Sequence, residues 1–164
     1  MRSRVGLGFD VHPFAVDRVL VLGGVTIDGR GLAGHSDADV VAHAVADAIL
    51  GPAGLDDLGT LFPASDERYR GASSIGLLHE CAAMVVRVGW WVANVDVVIA
   101  AEQPRLAPHV GAMAANVAEA LAVAREPMGL PMHVAVRPKR AEGLGAIGRA
   151  EGIAAWAVAL LERA

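Results

Sequence analysis

The chain has 164 residues, which suits one domain with a complete hydrophobic core. Hydrophobic residues make up 54% of it, which argues against disorder. The net charge of −4 and the pI of about 5.8 argue against a nucleic-acid partner, because nucleic-acid-binding proteins usually present a basic face.

The sequence contains few features that indicate a membrane segment, a signal peptide or a disulfide. Asn94 and Asp96 interrupt the most apolar predicted strand, so we expect no membrane segment. The N-terminal residues lack the long apolar core of a signal peptide. Cys81 is the one cysteine and cannot form an internal disulfide, which fits a reducing compartment. We therefore expect a cytoplasmic protein with a single domain over residues 1–164.

The first half of the chain predicts strands followed by a helix and a loop. RVGLGFDVH predicts a strand, and VLVLGGVTI predicts two strands joined by a Gly-Gly turn. SDADVVAHAVADAIL predicts a helix with Ser36 as its N-cap and with Gly51 and Pro52 ending it. The segment from Gly54 to Gly71 is rich in turn-forming residues and predicts a long loop.

The second half predicts three helices, from Ser74 to Val88, from Pro108 to Ala122 and from Arg149 to Glu162. WWVANVDVVIAAE and PMHVAVR predict strands, and the stretch from Glu126 to Pro131 predicts a connecting loop. Strands that alternate with helices predict layers of helix and sheet. We expect an α/β fold of the α+β type, with a mixed β-sheet and helices packed on one face.

Three polar side chains in apolar elements suggest a metal site. Asp10 and His12 lie two residues apart in a predicted strand and so face the same side. Such a pair is costly in an apolar element unless something binds it. His43, which follows His35 and Asp39 at four-residue spacing, is the candidate third group. One carboxylate and two imidazoles match a catalytic zinc site with an open position, although Mn or Co could use the same ligands.

The alternative is that these histidines are ordinary packed side chains. A histidine within an alanine-rich helix usually packs or is partly exposed, and a short D-x-H pattern is common. The combination of D-x-H with H-S-D-x-D-x-x-x-H is more specific. Spacing alone leaves both interpretations open.

Six blocks in order resemble the 2-C-methyl-D-erythritol 2,4-cyclodiphosphate synthase family over nearly the whole chain. They are GLGFDVHPF, LGGVTI, AGHSDADVVAHAVADAILG, DLGTLFP, NVDVVIAAEQPRLAPH and EGLGAIGRAEGIAAWAVALL. The resemblance implies a phosphorus–oxygen lyase of non-mevalonate isoprenoid biosynthesis. It would convert 4-diphosphocytidyl-2-C-methyl-D-erythritol 2-phosphate into the 2,4-cyclodiphosphate and CMP. It also implies a homotrimer with an active site in each cleft between subunits.

The resemblance also assigns the metal ligands and the catalytic groups. The zinc ligands of the family match Asp10, His12 and His43, and the first two would also meet the substrate. A Mg or Mn ion that bridges the α- and β-phosphates is steadied by a glutamate that matches Glu142. His35 matches a histidine near the phosphates, and its neighbour Ser36 matches a residue that touches the substrate. We expect Asp39 to be structural or an outer partner of a ligand.

Three further segments would contact the substrate if the resemblance holds. Asp57, Leu58 and Gly59 match a segment beside the methylerythritol. The stretch from Phe62 to Asp66 matches a loop that closes over the substrate, and the stretch from Ala101 to Ala107 matches a turn that holds cytosine through backbone groups. Without the resemblance, these would be an ordinary surface loop and an ordinary turn.

One turn departs from the family, which usually reads A-T-T-T-E-K-L-G-F where this chain reads PKRAEGLGA. Arg140 stands where the family has a threonine credited with stabilising the transition state. Lys139 and Arg140 could meet phosphate directly, crowd the nucleotide, or decorate an exposed turn. We expect retained activity, because Glu142, Arg149 and the zinc ligands remain. Direct contact predicts that Arg140→Ala lowers turnover strongly and leaves the zinc content intact.

Arg149 matches an arginine near the trimer axis of the family, where a central cavity can hold an isoprenoid diphosphate. Two other functions stay open. One is a zinc-dependent phosphohydrolase, which would release linear phosphates. The other is a catalytically altered trimeric homologue that binds a nucleotide or an isoprenoid diphosphate.

Overall fold

A four-stranded mixed sheet forms the centre of the molecule. The computed structural model describes residues 2–125 and 132–163. The sheet has the order β1–β6–β4–β5, with β1 at Arg2–Pro13, β4 at Trp91–Ala100, β5 at His133–Lys139 and β6 at Gly152–Arg163. Both β1 and β4 run antiparallel to β6, whereas β5 runs parallel to β4. Two short strands, β2 at Leu20–Leu22 and β3 at Val25–Ile27, form a separate hairpin.

The helices cover one face of the sheet and leave apolar side chains exposed on the other. They are α1 (Val40–Ala53), α2 (Leu58–Leu61), α3 (Ser74–Arg87), α4 (Val110–Ala120) and α5 (Gly145–Gly148), with 3₁₀ turns at Glu67–Tyr69, Ala107–His109 and Ala122–Ala124. Burial alternates along β1, where Gly6 and Gly8 are buried while Leu7 and Phe9 are exposed. The predicted mixed α/β fold is confirmed.

Helix α1 lies directly on the backbone of β1. A Cβ atom added at Gly8 would lie 1.9 Å from the carbonyl oxygen of Ala44, and one at Gly6 would lie 2.0 Å from that of Ala48. Only glycine permits this approach. The contact fixes the height of α1 over the strand, and therefore the position of His43 above Asp10.

The predicted last helix from Arg149 to Glu162 is wrong, because Gly152–Arg163 forms β6. Its alanines favour a helix in isolation. In the fold, however, this segment is the inner strand between β1 and β4, and Ala155, Ala157 and Ala159 are fully buried beneath the helices. Tertiary packing outweighs local propensity here, since small side chains on the inner face allow a helix to approach the sheet closely.

The first predicted helix begins later than expected, and its N-cap is Asp39 rather than Ser36. The Asp39 carboxylate accepts from the first backbone N–H groups of α1, while Ser36 lies in the preceding bend. Pro52 is tolerated inside the helix, and Gly54 ends it in the left-handed conformation with φ of 83°. The predicted loop from Gly54 to Gly71 contains α2 and a 3₁₀ turn.

The other predicted elements are present with shifted ends. The first part of the helix predicted from Pro108 to Ala122 is a 3₁₀ turn, and the strand predicted at PMHVAVR begins at His133. The loop predicted from Glu126 to Pro131 lies outside the described residues. Within residues 2–125 and 132–163, no helix combines the length and the apolar character that crossing a membrane requires.

Burial predicts that Cys81 is unreactive in the folded chain. The side chain is fully buried in α3, and desolvation raises the pKa of the thiol to about 12. The thiolate is the reactive form, so we expect N-ethylmaleimide at pH 8 to label the folded chain about a thousandfold more slowly than the chain in denaturant. Mass spectrometry follows a single label, because Cys81 is the one cysteine. Equal rates in both states would contradict this packing.

Candidate metal centre and adjoining cavities

Asp10, His12 and His43 converge in the structure. The Asp10 carboxylate lies 2.8 Å from His43 Nδ1 and 3.2 Å from His12 Nε2. One ligand-type atom from each residue lies within 4.8 Å of the other two. Strand β1 supplies two of these side chains and α1 supplies the third. The donor set of one carboxylate and two imidazoles suits a divalent transition metal.

The electrostatics of the cluster favour an ionised carboxylate. Burial acts to raise the pKa of Asp10, but hydrogen bonds and charge from His12 and His43 outweigh it and hold this pKa well below its usual value. The hydrogen bond to Asp10 raises the pKa of His12 against the effect of partial burial. A bound cation could replace the protons that the imidazoles share with this carboxylate.

A chain of hydrogen bonds behind His43 fixes the orientation of its ring. His43 Nε2 lies 2.9 Å from the hydroxyl of Ser74 and 3.3 Å from that of Ser36. The Ser74 hydroxyl in turn donates to Asp37. When Nε2–H donates to Ser74, the lone pair of Nδ1 faces Asp10, as a metal ligand requires.

Asp39 is a structural residue, and its contact with the metal-type cluster is the backbone hydrogen bond that its carbonyl oxygen accepts from His43 N–H at 3.1 Å. Its carboxylate is fully buried and accepts hydrogen bonds from the N–H groups of Gly23 and Gly24 in the hairpin and of Val41 and Ala42 in α1. It therefore joins the β2–β3 turn to the start of α1. The outer partner that the sequence suggested for a histidine ligand is Ser74 instead.

A first cavity of about 260 Å³ opens onto the cluster. The predicted site residues that line it are Asp10, His12, His35, Ser36, His43, Leu58, Gly59 and Phe62. Arg18 holds the segment that carries His35 and Ser36, because its guanidinium donates to the carbonyl oxygens of Leu32 and Ser36. The structure thus brings most of the predicted metal and methylerythritol-side residues to one cavity.

Asp57 and Asp66 have local partners beside the first cavity. Asp57 caps α2 by accepting from the N–H of Thr60 at 2.8 Å. The side chain of Asp66 pairs with Arg68, while its backbone carbonyl lies 3.0 Å from His35 Nε2. The contacts of Asp66 hold the C-terminal end of the Phe62–Asp66 loop that the sequence predicts to close over a substrate, whereas Asp57 stabilises the start of the preceding helix.

A second cavity of about 510 Å³ lies where the parallel strands β4 and β5 end. The turn from Ala101 to Ala107 forms one wall, and Pro138, Lys139 and Arg140 form the other. The Arg140 guanidinium donates to the carboxylate of Glu102. Both predicted nucleotide-side segments therefore face one space, with Arg140 already engaged by a carboxylate.

Glu142 and Arg149 lie outside the linings of these two cavities. Glu142 is exposed and adopts a left-handed backbone conformation with φ of 53°. Arg149 pairs with Glu151 at 2.6 Å on an exposed turn. Their roles stay predictions.

Sequence reasoning missed Ser74, Asp37, Asp47 and Glu102. Ser74 and Asp37 lie 37 residues apart and meet only because α3 packs beside α1. Asp47 lines the first cavity and accepts from the N–H of Leu58. Asp47 is four residues after His43, which places both side chains on the same face of α1. This spacing is the one sequence signal that indicates Asp47 as a site residue.

The fold and the cluster define a mixed α/β protein with an Asp-His-His centre of the type that binds a divalent metal. A comparison with protein-family models matches the YgbB family over residues 3–162. The chain belongs to the YgbB family.

Known proteins of related sequence and structure agree with this assignment. The chain is 56% identical over 165 residues to a 2-C-methyl-D-erythritol 2,4-cyclodiphosphate synthase of Rubrobacter xylanophilus, covering 98% of this chain and 96% of the relative. It is 54% identical over 159 residues to a bifunctional enzyme IspD/IspF of an Anaeromyxobacter species, covering 97% of this chain but only 40% of that protein's length. A solved structure of IspF from Plasmodium falciparum in complex with CDP superposes with a TM-score of 0.81 at 29% identity, over 98% of this chain and 96% of that one.

Proposed function

We propose that this chain converts 4-diphosphocytidyl-2-C-methyl-D-erythritol 2-phosphate into 2-C-methyl-D-erythritol 2,4-cyclodiphosphate and CMP. The observation that carries the proposal is the meeting of Asp10, His12 and His43 beside a cavity, in a chain of this family. The names of the relatives support the same reaction. The class is a phosphorus–oxygen lyase of the non-mevalonate route.

The reaction is an intramolecular phosphoryl transfer. An oxygen of the 2-phosphate bonds to the β-phosphorus, and the bond from that phosphorus to the CMP oxygen breaks, so CMP leaves with the bond electrons. Such a transfer needs alignment of the two ends of the substrate and neutralisation of phosphate charge. Asp10, His12 and His43 would hold zinc or another divalent ion, which supplies that neutralisation.

The protein's own groups would align the substrate. His35 and Ser36 line the first cavity and would donate to phosphate oxygens. Leu58, Gly59 and Phe62 also line this cavity, and the methylerythritol would lie against them. Glu142 would steady a Mg or Mn ion on the diphosphate. Lys139 and Arg140 line the second cavity, where cytidine and its phosphates would lie.

We further propose that the chain assembles as a homotrimer. The face of the sheet opposite the helices carries six exposed apolar side chains, namely Val5, Leu7, Phe9, Val11, Trp156 and Val158. Such a patch marks an interface. The first and second cavities share no lining residue, so a cleft between two copies could join the metal side of one to the nucleotide side of the next.

A charge placed on this apolar face should separate the subunits. Leu7 is 68% exposed at the centre of the patch, so we expect Leu7→Glu to convert the trimer into monomers in native mass spectrometry and to lower turnover. The matched control is Val16→Glu, because Val16 is also apolar and is 82% exposed but lies outside the sheet. A trimer that survives Leu7→Glu, or a monomeric wild type, would refute the proposed interface.

The direct test of the reaction is incubation with the cytidyl substrate, Zn and Mg, followed by phosphorus NMR. The proposal predicts a cyclic diphosphate and CMP. Linear phosphates would favour the phosphohydrolase alternative. Binding of CDP without turnover would favour the altered homologue.

Binding of an isoprenoid diphosphate near Arg149 and a cytoplasmic location remain predictions. The central cavity would form only in the trimer, with Ala146 and Ile147 close to Arg149 in the sequence. Geranyl or farnesyl diphosphate should then raise the melting temperature of the trimer.

A further inference from the structure

An ion pair joins the two walls of the second cavity. Arg140 donates through Nε at 3.1 Å, and also through Nη2, to Oε1 of Glu102. The other carboxylate oxygen of Glu102 accepts from the backbone N–H of Ala141 at 3.2 Å. Residues 38 and 39 positions apart in the sequence are thereby held together at the cavity.

The two partners of this pair differ in exposure. The Glu102 side chain is only 11% exposed, whereas that of Arg140 is 67% exposed. Hydrogen bonding to Arg140 lowers the pKa of Glu102. A largely enclosed carboxylate requires a cation or several donors. Loss of Arg140 would therefore leave the enclosed Glu102 carboxylate without its cation, whereas loss of Glu102 would leave Arg140 solvated by water.

The pair lies at the point where two parallel strands separate. Ala101 N still donates to the carbonyl oxygen of Lys139 at 3.0 Å, after which the two segments diverge around the cavity. Ala101 and Leu106 are buried and anchor the turn at both ends. The Glu102 carboxylate links the diverging segments, because it accepts from the Arg140 guanidinium and from the backbone N–H of Ala141.

The same geometry bears on whether Arg140 contacts phosphate. Two guanidinium nitrogens are committed to Glu102. To engage a phosphate with those nitrogens, Arg140 would have to leave an enclosed carboxylate without its cation. Lys139 lines the same cavity and has no ion-pair partner among the described residues, so it is the freer cation for an anionic ligand.

We infer that Arg140 is a positioning residue that acts through Glu102, and that the pair holds the turn from Ala101 to Ala107 in the shape that receives a cytidine nucleotide. The inference rests on the proposed function and deepens it. Arg140, which stands where the family has a threonine, would then support nucleotide binding and would contribute little directly to phosphoryl transfer. Glu102 becomes a determinant of the same site.

Three variants test this inference: Arg140→Ala, Glu102→Gln and the double variant. The probes are CDP binding by calorimetry and the KM and kcat of the cytidyl substrate. If the pair acts as a unit, each variant raises the Kd for CDP and the KM about tenfold and leaves kcat within about twofold, and the double variant is no worse than either single one. Arg140→Lys should recover part of the affinity, because it restores the charge without the second hydrogen bond.

The control is Arg87→Ala, since Arg87 is an exposed arginine at the end of α3 and lines neither cavity. A hundredfold loss of kcat in Arg140→Ala, together with unchanged kcat, KM and Kd in Glu102→Gln, would show that Arg140 takes part directly in catalysis and would overturn the inference. A lower melting temperature with unchanged Kd and KM would show a purely structural pair and would also overturn it. If the wild type forms no cyclic product, the proposed function fails, while the CDP measurements still decide the inference.

Discussion

Replacing His43 with alanine is expected to remove the divalent ion and to lower turnover about a thousandfold. Each factor of ten in rate corresponds to about 1.4 kcal/mol, and a metal that neutralises phosphate charge contributes several kcal/mol to the transition state. His43 is mostly buried and is the single ligand that α1 contributes, so water cannot easily reproduce its position. Metal content by atomic emission and turnover should fall together.

Removal of a histidine outside the metal-type cluster should change neither the metal content nor the turnover. His79 lies on α3, where its ring nitrogen is 3.2 Å from the carbonyl oxygen of Ala120, and it lines neither cavity. The variant His79→Ala should keep its metal and its turnover. Full activity in His43→Ala would remove His43 from the mechanism.

A smaller effect on metal binding is expected when the hydrogen bond between His43 and Ser74 is removed. The variant Ser74→Ala removes the hydroxyl that accepts from His43 Nε2 and donates to Asp37. Loss of such an outer partner typically costs about 10- to 100-fold in metal affinity. A weaker but still measurable metal affinity would therefore support the inferred tautomer of His43.

The second large effect is expected at Asp39, where alanine should destabilise the fold by about 3 kcal/mol or more. Its carboxylate satisfies four backbone N–H groups in two elements, two in the β2–β3 turn and two in α1. Loss of a helix cap alone costs about 1 kcal/mol, and each buried donor left unsatisfied costs about 1–3 kcal/mol. Urea unfolding followed by circular dichroism measures the change.

Asparagine at the same position is the matched control. The Oδ1 of Asp39 accepts from Gly23, Val41 and Ala42, and an amide oxygen could keep these three bonds. Only the bond from Gly24 to Oδ2 would be lost. We therefore expect Asp39→Asn to lose about 1 kcal/mol. Equal losses in the alanine and asparagine variants would contradict the capping role.

Local patterns in the sequence predict much of this fold and the centre of the site. Alternating residues in β1 place Asp10 and His12 on one face, and helical spacing places His43 in α1. Spacing alone left open whether these side chains are metal ligands or ordinary packed residues. The resemblance of the ordered motifs to a known family implied that Asp10, His12 and His43 form one metal centre, and the structure brings them together.

The errors arise where long-range packing decides the structure. The alanines of β6 favour a helix locally, and only the neighbouring strands β1 and β4 make this segment extended. The partners of Ser74 and Glu102 come from residues 37 to 39 positions away, and no local pattern encodes such pairs. For the same reason, the three roles that the sequence left open for Arg140 did not include the ion pair with Glu102 that the structure shows.

Anomalous diffraction at the zinc absorption edge, from crystals grown with zinc, tests most directly whether Asp10, His12 and His43 form a metal centre. We predict a single strong peak about 2.0–2.2 Å from an oxygen of Asp10 and from one nitrogen of each histidine. Absence of a peak between these three side chains, with zinc bound elsewhere or nowhere, would contradict the metal centre and the ring-closing reaction proposed for it.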